Sequence, residues 1–374
     1  MTAGSTRDQA CAAALLGLPG MTPVRLARLL DGMRPPLAWT AVRAGTHPAD
    51  PSRRFAAPAR QVDPDDVAGR YADAGVAVLL PGRAGYPAAL VGDPGAPAVL
   101  CASGDTAVLE ARPAVAVVGT RSATPYGVKV AADLGRRLAA AEVVVVSGLA
   151  RGIDAAAHSG ALAAGPGAAP PVAVVGTGLD VPYPRENRAL WARVAAAGAV
   201  LSEAALGTRA RPMVFPARNR IIAALADVVV VVESHRAGGS LYTAEAAARR
   251  SIPVCAVPGS VYSAASAGTN ELLVDGCVPV RDADDVLAAV ALVRQGRGMA
   301  SPLPSAGRRR AAADGPDPAD RVRRSVWEAV DDTPTTVETV LLRTDLSLAA
   351  LTAAGEALVE QGLLTGGTGW WARG

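Results

Sequence analysis

Residues 114–127, Ala114-Val115-Ala116-Val117-Val118-Gly119-Thr120-Arg121-Ser122-Ala123-Thr124-Pro125-Tyr126-Gly127, pass from an apolar β-branched run through a glycine turn into a helical stretch. The same texture recurs downstream, which predicts strands at Val115–Val118, Val143–Val146, Val172–Val175, Val200–Leu201, Val228–Val232 and Pro253–Val257. Ala-rich helical segments separate them, the pattern of a parallel sheet buried on both faces. The first three strands each end in a Gly-containing turn that leads into a helix. That order predicts an α/β fold, a Rossmann-like doubly wound and mostly parallel sheet whose ligand lies beyond the carboxyl ends of the strands.

Outward from this core, 112–293 reads as the Rossmann-like domain and 1–111 as an N-terminal helical domain with a connector. Within the latter, Leu16-Gly17-Leu18-Pro19-Gly20-Met21-Thr22-Pro23 resembles a SAM or helix–hairpin–helix-like element, with a plain turn between packed helices as the alternative because Pro19 and Pro23 each remove a donor; a strand is expected at Val76–Leu80, and a Pro/Gly-rich passage leads to Val99-Leu100-Cys101. Residues 294–318 are rich in Pro, Gly and Ser without a period and read as a linker. Residues 319–374 show three short helical stretches and a terminal hairpin, Leu363–Trp371, which suggests a winged helix. Counted from the sequence, basic against acidic residues number 10 and 10 in 1–111, 17 and 14 in 112–293, 5 and 2 in the linker, and 5 and 8 in the last segment. The terminal segment is therefore acidic, opposite to what a duplex-binding module shows, and a protein contact suits it better.

Several function classes are excluded at this level. The four cysteines and three histidines are scattered, with no zinc spacing, and the thiols read as buried and free. Lys129, the only lysine, lies outside any GxxxxGK[ST] word, so a P-loop ATPase is ruled out. No apolar stretch suffices for a spanning helix, which predicts a soluble, cytoplasmic protein with no membrane partner. Ser-His-Asp sets, GxSxG elbows and paired carboxylates are missing too, and no cofactor or metal is expected.

The residues that remain form a rim. Gly119, Thr120, Arg121 and Ser122 offer backbone N–H groups, hydroxyls and a guanidinium at a helix N-terminus. Ser147, Gly148 and Arg151 repeat the design one strand later, followed by Asp154 and His158, for which an i,i+4 hydrogen bond that positions the turn is the expected role. Arg185 follows the third turn, Gly176-Thr177-Gly178. Phe215, Arg218, Asn219 and Arg220 form the densest cluster, and two arginines at i,i+2 point different ways on a helix, one toward phosphate and one toward a carboxylate or a base. Gly239 and Ser240 add a nest after the fifth strand. Arginines, hydroxyls and glycine nests with few aromatics suit a phosphodiester chain gripped by its backbone.

Taken together, GTRSATPYG, SGLARGIDAAAH, GTGLDVPYPREN, FPARNRII, GGSLYTA and AVPGS…GTNELL resemble the DNA-processing protein family DprA, also called Smf, over about Val115–Gly276. The resemblance implies a non-enzymatic, single-stranded DNA-binding recombination mediator that protects incoming DNA in natural transformation and helps the RecA recombinase load, acting as a homodimer. It makes Arg121 the leading DNA contact, with Ser147, Gly148, Arg151, Arg185, Arg218, Asn219 and Arg220 lining the same pocket. The rival readings are a Rossmann-like nucleotide hydrolase of the phosphoribohydrolase type, whose PGGxGTxxE word this chain lacks, and a transcription regulator.

Overall fold

The computed structural model describes residues 3–110, 113–211, 214–296, 320–330, 335–344, 346–361, 363–367 and 370–373. Most of the expected 294–318 linker lies outside them. The chain divides into two compact units, Met1–Pro304 and Ser305–Gly374.

In the first unit, helices α1 (Ala3–Leu16), α2 (Pro23–Leu30), α3 (Pro35–Ala44), α4 (Ala56–Arg60) and α5 (Pro64–Asp73) precede strands β1 (Ala77–Leu79), β2 (Leu100–Gly104) and β3 (Ala114–Val118). Strand and helix then alternate: α6 (Pro125–Ala140), β4 (Val144–Ser147), α7 (Ile153–Leu162), β5 (Val172–Val175), α8 (Arg188–Ala197), β6 (Ala199–Ser202), α9 (Val214–Ala224), β7 (Val228–Val231), α10 (Leu241–Ala248), β8 (Val254–Ala256), α11 (Ala267–Val274), β9 (Val278–Pro279) and α12 (Ala283–Arg294). The sheet order is β1-β2-β6-β5-β4-β3-β7-β8-β9. Pairing is parallel from β6 through β9, and antiparallel for β1 with β2 and for β2 with β6.

Alternation along the strands explains why both faces are covered. Ala114, Ala116 and Val118 of β3 share a core with Ile221 and Ile222 of α9 and Ala244 and Ala247 of α10, whereas Val115 and Val117 face Leu134 and Leu138 of α6 and Ile153 of α7. A fully buried valine contributes roughly 1.5–3 kcal/mol, so these runs specify register as well as stability. Helices α6 and α7 pack closely through glycines: a Cβ on Gly160 would lie 2.0 Å from the Ala132 carbonyl oxygen, and one on Gly135 2.1 Å from that of Ala157.

The sheet crosses the boundary expected at 111. Leu100 and Ala102 of β2 enter one core while Cys101 enters the other, beside the helices α1–α5, so the N-terminal region supplies two strands as well as a helical cover. In the second unit, α13 (Arg321–Ala329), β10 (Thr335–Thr336), α14 (Val337–Arg343), α15 (Leu348–Glu360), β11 (Leu364–Gly367) and β12 (Trp370–Arg373) surround Val326, Val340, Leu351, Leu358 and Trp371. Its strands form an antiparallel sheet of order β10-β12-β11.

Candidate functional site

At β3 the strand order reverses, β4 lying on one side and β7 on the other, and this switch point leaves a crevice beyond the carboxyl ends of the strands. A cavity of about 600 Å³ opens there, within the range of a small-ligand pocket. Its lining includes Gly119, Thr120 and Arg121 after β3, Ala150 and Asp154 after β4, Tyr183, Arg211, Phe215, Arg218 and Asn219, and His235, Gly239, Ser240 and Tyr242 after β7. Three arginines against one carboxylate make the lining cationic.

The first turn is braced from below by Glu233, which is buried. The Glu233 carbonyl accepts from the Thr120 N–H at 2.7 Å, and its carboxylate accepts from the Thr124 N–H at 2.9 Å and the Thr124 hydroxyl at 2.5 Å. Thr124 Oγ1 also accepts from the Gly127 N–H at 3.2 Å, capping α6. A Cβ on Gly127 would lie 2.2 Å from Glu233 Oε2, so glycine there makes room for the brace.

The second turn is held by Asp154 and Asn187. Asp154 Oδ2 accepts from the Gly148 and Ala150 N–H groups at 3.1 and 3.4 Å, while Asn187 Nδ2 donates to the Leu149 and Ala150 carbonyls at 2.9 and 3.2 Å. Gly152 has φ +71°, and a Cβ on it would lie 2.4 Å from the Thr120 carbonyl oxygen, so the two turns touch backbone to backbone.

Arg218 reaches up from α9 beneath these turns. It is buried, and its Nη1 donates to the Gly148 carbonyl at 2.8 Å and to the Val174 carbonyl. Burial pushes its guanidinium down to about 10, with the Asp154 charge opposing and Arg121 adding. Burial likewise pushes the Asp154 carboxyl up, with Arg218 as the largest opposing influence. His158, also buried, is pushed down to about 3 by desolvation and is neutral at physiological pH. The expected Asp154–His158 hydrogen bond is not formed: Asp154 is spent on the turn, and neither ring nitrogen of His158 meets a hydrogen-bond partner.

At the mouth, the exposed Arg121 places its guanidinium carbon 4.6 Å from the Phe215 ring centroid. On the same ring, Tyr183 packs with centroids 5.6 Å apart and planes tilted by 34°. Asn219 Nδ2 donates to the Gly239 carbonyl at 3.1 Å, tying α9 to the turn after β7.

Of the residues expected from sequence, Gly119, Thr120, Arg121, Phe215, Arg218, Asn219, Gly239 and Ser240 thus come together. The others stand elsewhere. Ser122 is exposed, its N–H donating to Thr120 Oγ1 at 3.2 Å. Ser147 is fully buried and its hydroxyl donates to the Val117 carbonyl at 2.6 Å, a tie between β4 and β3. Gly148 lies against Arg218, whose Nη1 would be 2.1 Å from a Cβ. Exposed Arg151 pairs with Glu186, and Arg185 is exposed outside the cavity lining. Arg220 turns away to Glu203, contacting both carboxylate oxygens at 2.6 Å, so the arginines at i,i+2 do diverge. Tyr183, Arg211, His235 and Tyr242 were not singled out from the sequence. Tyr183 and Arg211 had a signal: a tyrosine between prolines after the third turn, and an arginine four residues before Phe215.

Among the described residues no group of three or more His, Cys, Asp or Glu side chains could hold a metal ion, and no helix is long and apolar enough to cross a membrane.

Residues 77–291 match the profile of a family described as DNA recombination-mediator protein A. A DNA processing protein DprA of Mycobacterium tuberculosis is 46% identical over 195 residues, 52% of this chain and 49% of that protein, so the chain spans about half the length of that relative. The X-ray structure of DNA processing protein A from Streptococcus pneumoniae superposes with a TM-score of 0.64 at 32% identity, covering 75% of this chain and 97% of that one. A Helicobacter pylori DNA processing protein A, solved for its single-stranded DNA binding mode, gives a TM-score of 0.51 at 30% identity, covering 59% and 96%.

Proposed function

Because the chain belongs to the DNA recombination-mediator protein A family, we propose that it binds single-stranded DNA in the cavity at the β3/β7 switch point and acts as a recombination mediator without catalysing a reaction. The observation that carries this reading is the cationic cavity itself, where Arg121 and Arg211 stand at an opening floored by Arg218 and flanked by Phe215 and Tyr183. Guanidinium groups suit phosphodiester oxygens, and the aromatic pair suits a base face. The carboxylates nearest the turns are already engaged, Glu233 with Thr124 and Asp154 with the second turn, and His158 is sealed and neutral, which supports a binding role over the hydrolase reading.

In this reading the protein protects incoming DNA in the cytoplasm and hands it to the RecA recombinase, with no cofactor or metal. It works as a homodimer, with Val261, Tyr262 and Val274, which are 83%, 97% and 87% exposed, available for a second copy to cover. The second unit acts as a winged helix, and its acidic balance directs it to a protein partner. The test is fluorescence anisotropy with labelled single-stranded and duplex oligonucleotides of equal length over a salt series. Preferential, salt-sensitive single-strand binding without nucleotide or metal is expected. Binding to neither DNA, with consumption of a nucleoside monophosphate, would replace this reading with the hydrolase.

A further inference from the structure

Resting on the single-stranded DNA reading, we infer that Arg121 is a latch over Phe215: in the free protein it covers the ring face that a base needs, and a nucleotide's phosphate draws it off while the base takes its place. The geometry sets the alternatives. Tyr183 lies 5.6 Å from Phe215, and a base sliding between two rings needs roughly 7 Å, twice a stacking separation of about 3.5 Å. The space between Tyr183 and Phe215 is therefore closed to a base.

Over the ring itself stands the Arg121 guanidinium, with its carbon 4.6 Å from the centroid. A base stacked at about 3.5–4.0 Å from the ring carbons would occupy the volume the guanidinium fills. Arginine and base cannot share that face.

Arg121 is free to exchange. It is exposed, and among the described residues it has no carboxylate within ion-pair distance. The carboxylate beneath the pocket, Asp154, feels the charges of both Arg218 and Arg121, but it forms no ion pair with Arg121 and its oxygens hold the second turn. The aromatic face is thus the favourable resting place for this cation until a phosphate arrives. Phosphate offers a charge-assisted, bidentate partner stronger than an exposed cation–π contact. A ligand carrying phosphate and base together fills both positions, whereas phosphate alone must pull Arg121 off the ring with nothing to replace it there. The latch thereby favours base-bearing strands over bare polyanions.

The inference predicts effects of opposite sign from one substitution. Anisotropy would be measured with a labelled oligothymidylate and with an abasic oligomer of equal length, for the wild-type chain, Phe215→Ala, Phe215→Leu and Arg121→Ala, each checked by its thermal melt. Phe215→Ala should bind the oligothymidylate about 5- to 100-fold more weakly through loss of stacking. It should bind the abasic oligomer about two- to fivefold more tightly, because Arg121 no longer has a ring to leave. Phe215→Leu, which keeps apolar volume without the π face, should shift both ligands in the same directions and carries the test if the alanine variant does not fold. Abasic affinity unchanged or weakened in the folded variants would overturn the latch while leaving the DNA-binding reading intact. Wild-type binding to neither oligomer would remove the DNA-binding reading and the latch with it.

Discussion

Replacing Arg218 by methionine keeps an unbranched apolar stem, shorter than the arginine, and removes the charge from beneath the two turns. Two backbone acceptors, the carbonyls of Gly148 and Val174, lose their donor, and the buried Asp154 carboxylate loses its largest compensating charge. Leaving two buried carbonyls without a donor costs about 1–3 kcal/mol each, and with the charge lost near Asp154 about 3–5 kcal/mol in all. With an unfolding entropy of about 2.1 cal/mol/K per residue over Met1–Pro304, that cost lowers the melting temperature by roughly 5–8 °C. The loss depends on pH in a defined direction. The folded pKa of Asp154 is already raised above its unfolded value, so its relative contribution is most favourable when protonated, below the unfolded pKa, and is lost as pH rises through the folded pKa. Without Arg218 the folded pKa climbs further, and the deficit against wild type grows with pH. Calorimetric melts at pH 5 and pH 7.5 should show the larger drop at pH 7.5, and Arg218→Met/Asp154→Asn should melt above the single Arg218→Met variant at pH 7.5. A drop smaller than about 2 °C at pH 7.5, or equal drops at both pH values, would refute the buried-charge argument.

Arg121→Ala should leave the melting temperature almost unchanged, weaken single-strand binding for all sequences, and lower the slope of log K against log salt by about one; a titration with unchanged slope would remove Arg121 from the phosphate contacts. Gly152→Ala forces an L side chain into φ +71° and sets its Cβ against the Thr120 carbonyl, so both turns should shift, with loss of oligonucleotide affinity and a lower melting temperature; wild-type behaviour in both assays would show that the turns are not coupled there. Deleting residues 305–374 should leave single-strand affinity within about twofold, because that unit is acidic and the cationic cavity lies wholly in the first unit; a large loss of affinity would show that the second unit holds DNA.

How much of this was legible in the sequence depends on whether a property is local. Short apolar runs between Ala-rich helical stretches, the first three of them closed by glycine turns, revealed β3 to β8, because a strand buried on both faces leaves its signature within a few consecutive residues. Strand β9, Val278–Pro279, is two residues long and has no such run. The antiparallel pairing of β2 with β6, Cys101 opposite Ser202, joins residues about a hundred positions apart and was not readable from either stretch alone. The site divides in the same way. Residue type marked Arg121, Arg218 and Arg220 equally, yet of the three only Arg121 is exposed at the mouth, over the Phe215 ring, whereas Arg218 is sealed under backbone carbonyls and Arg220 is committed to Glu203. Burial is a tertiary property, and it decides what a guanidinium is for. An exposed one can meet a diffusing phosphate with little desolvation, so its removal should appear in affinity and salt dependence. A buried one has already lost its water and is bound to its carbonyls, so its removal should appear in stability first. Alanine at Arg121 and methionine at Arg218 should therefore separate cleanly, one moving the binding isotherm and the other the melt, and that separation distinguishes a contact residue from a floor residue where their shared chemistry does not.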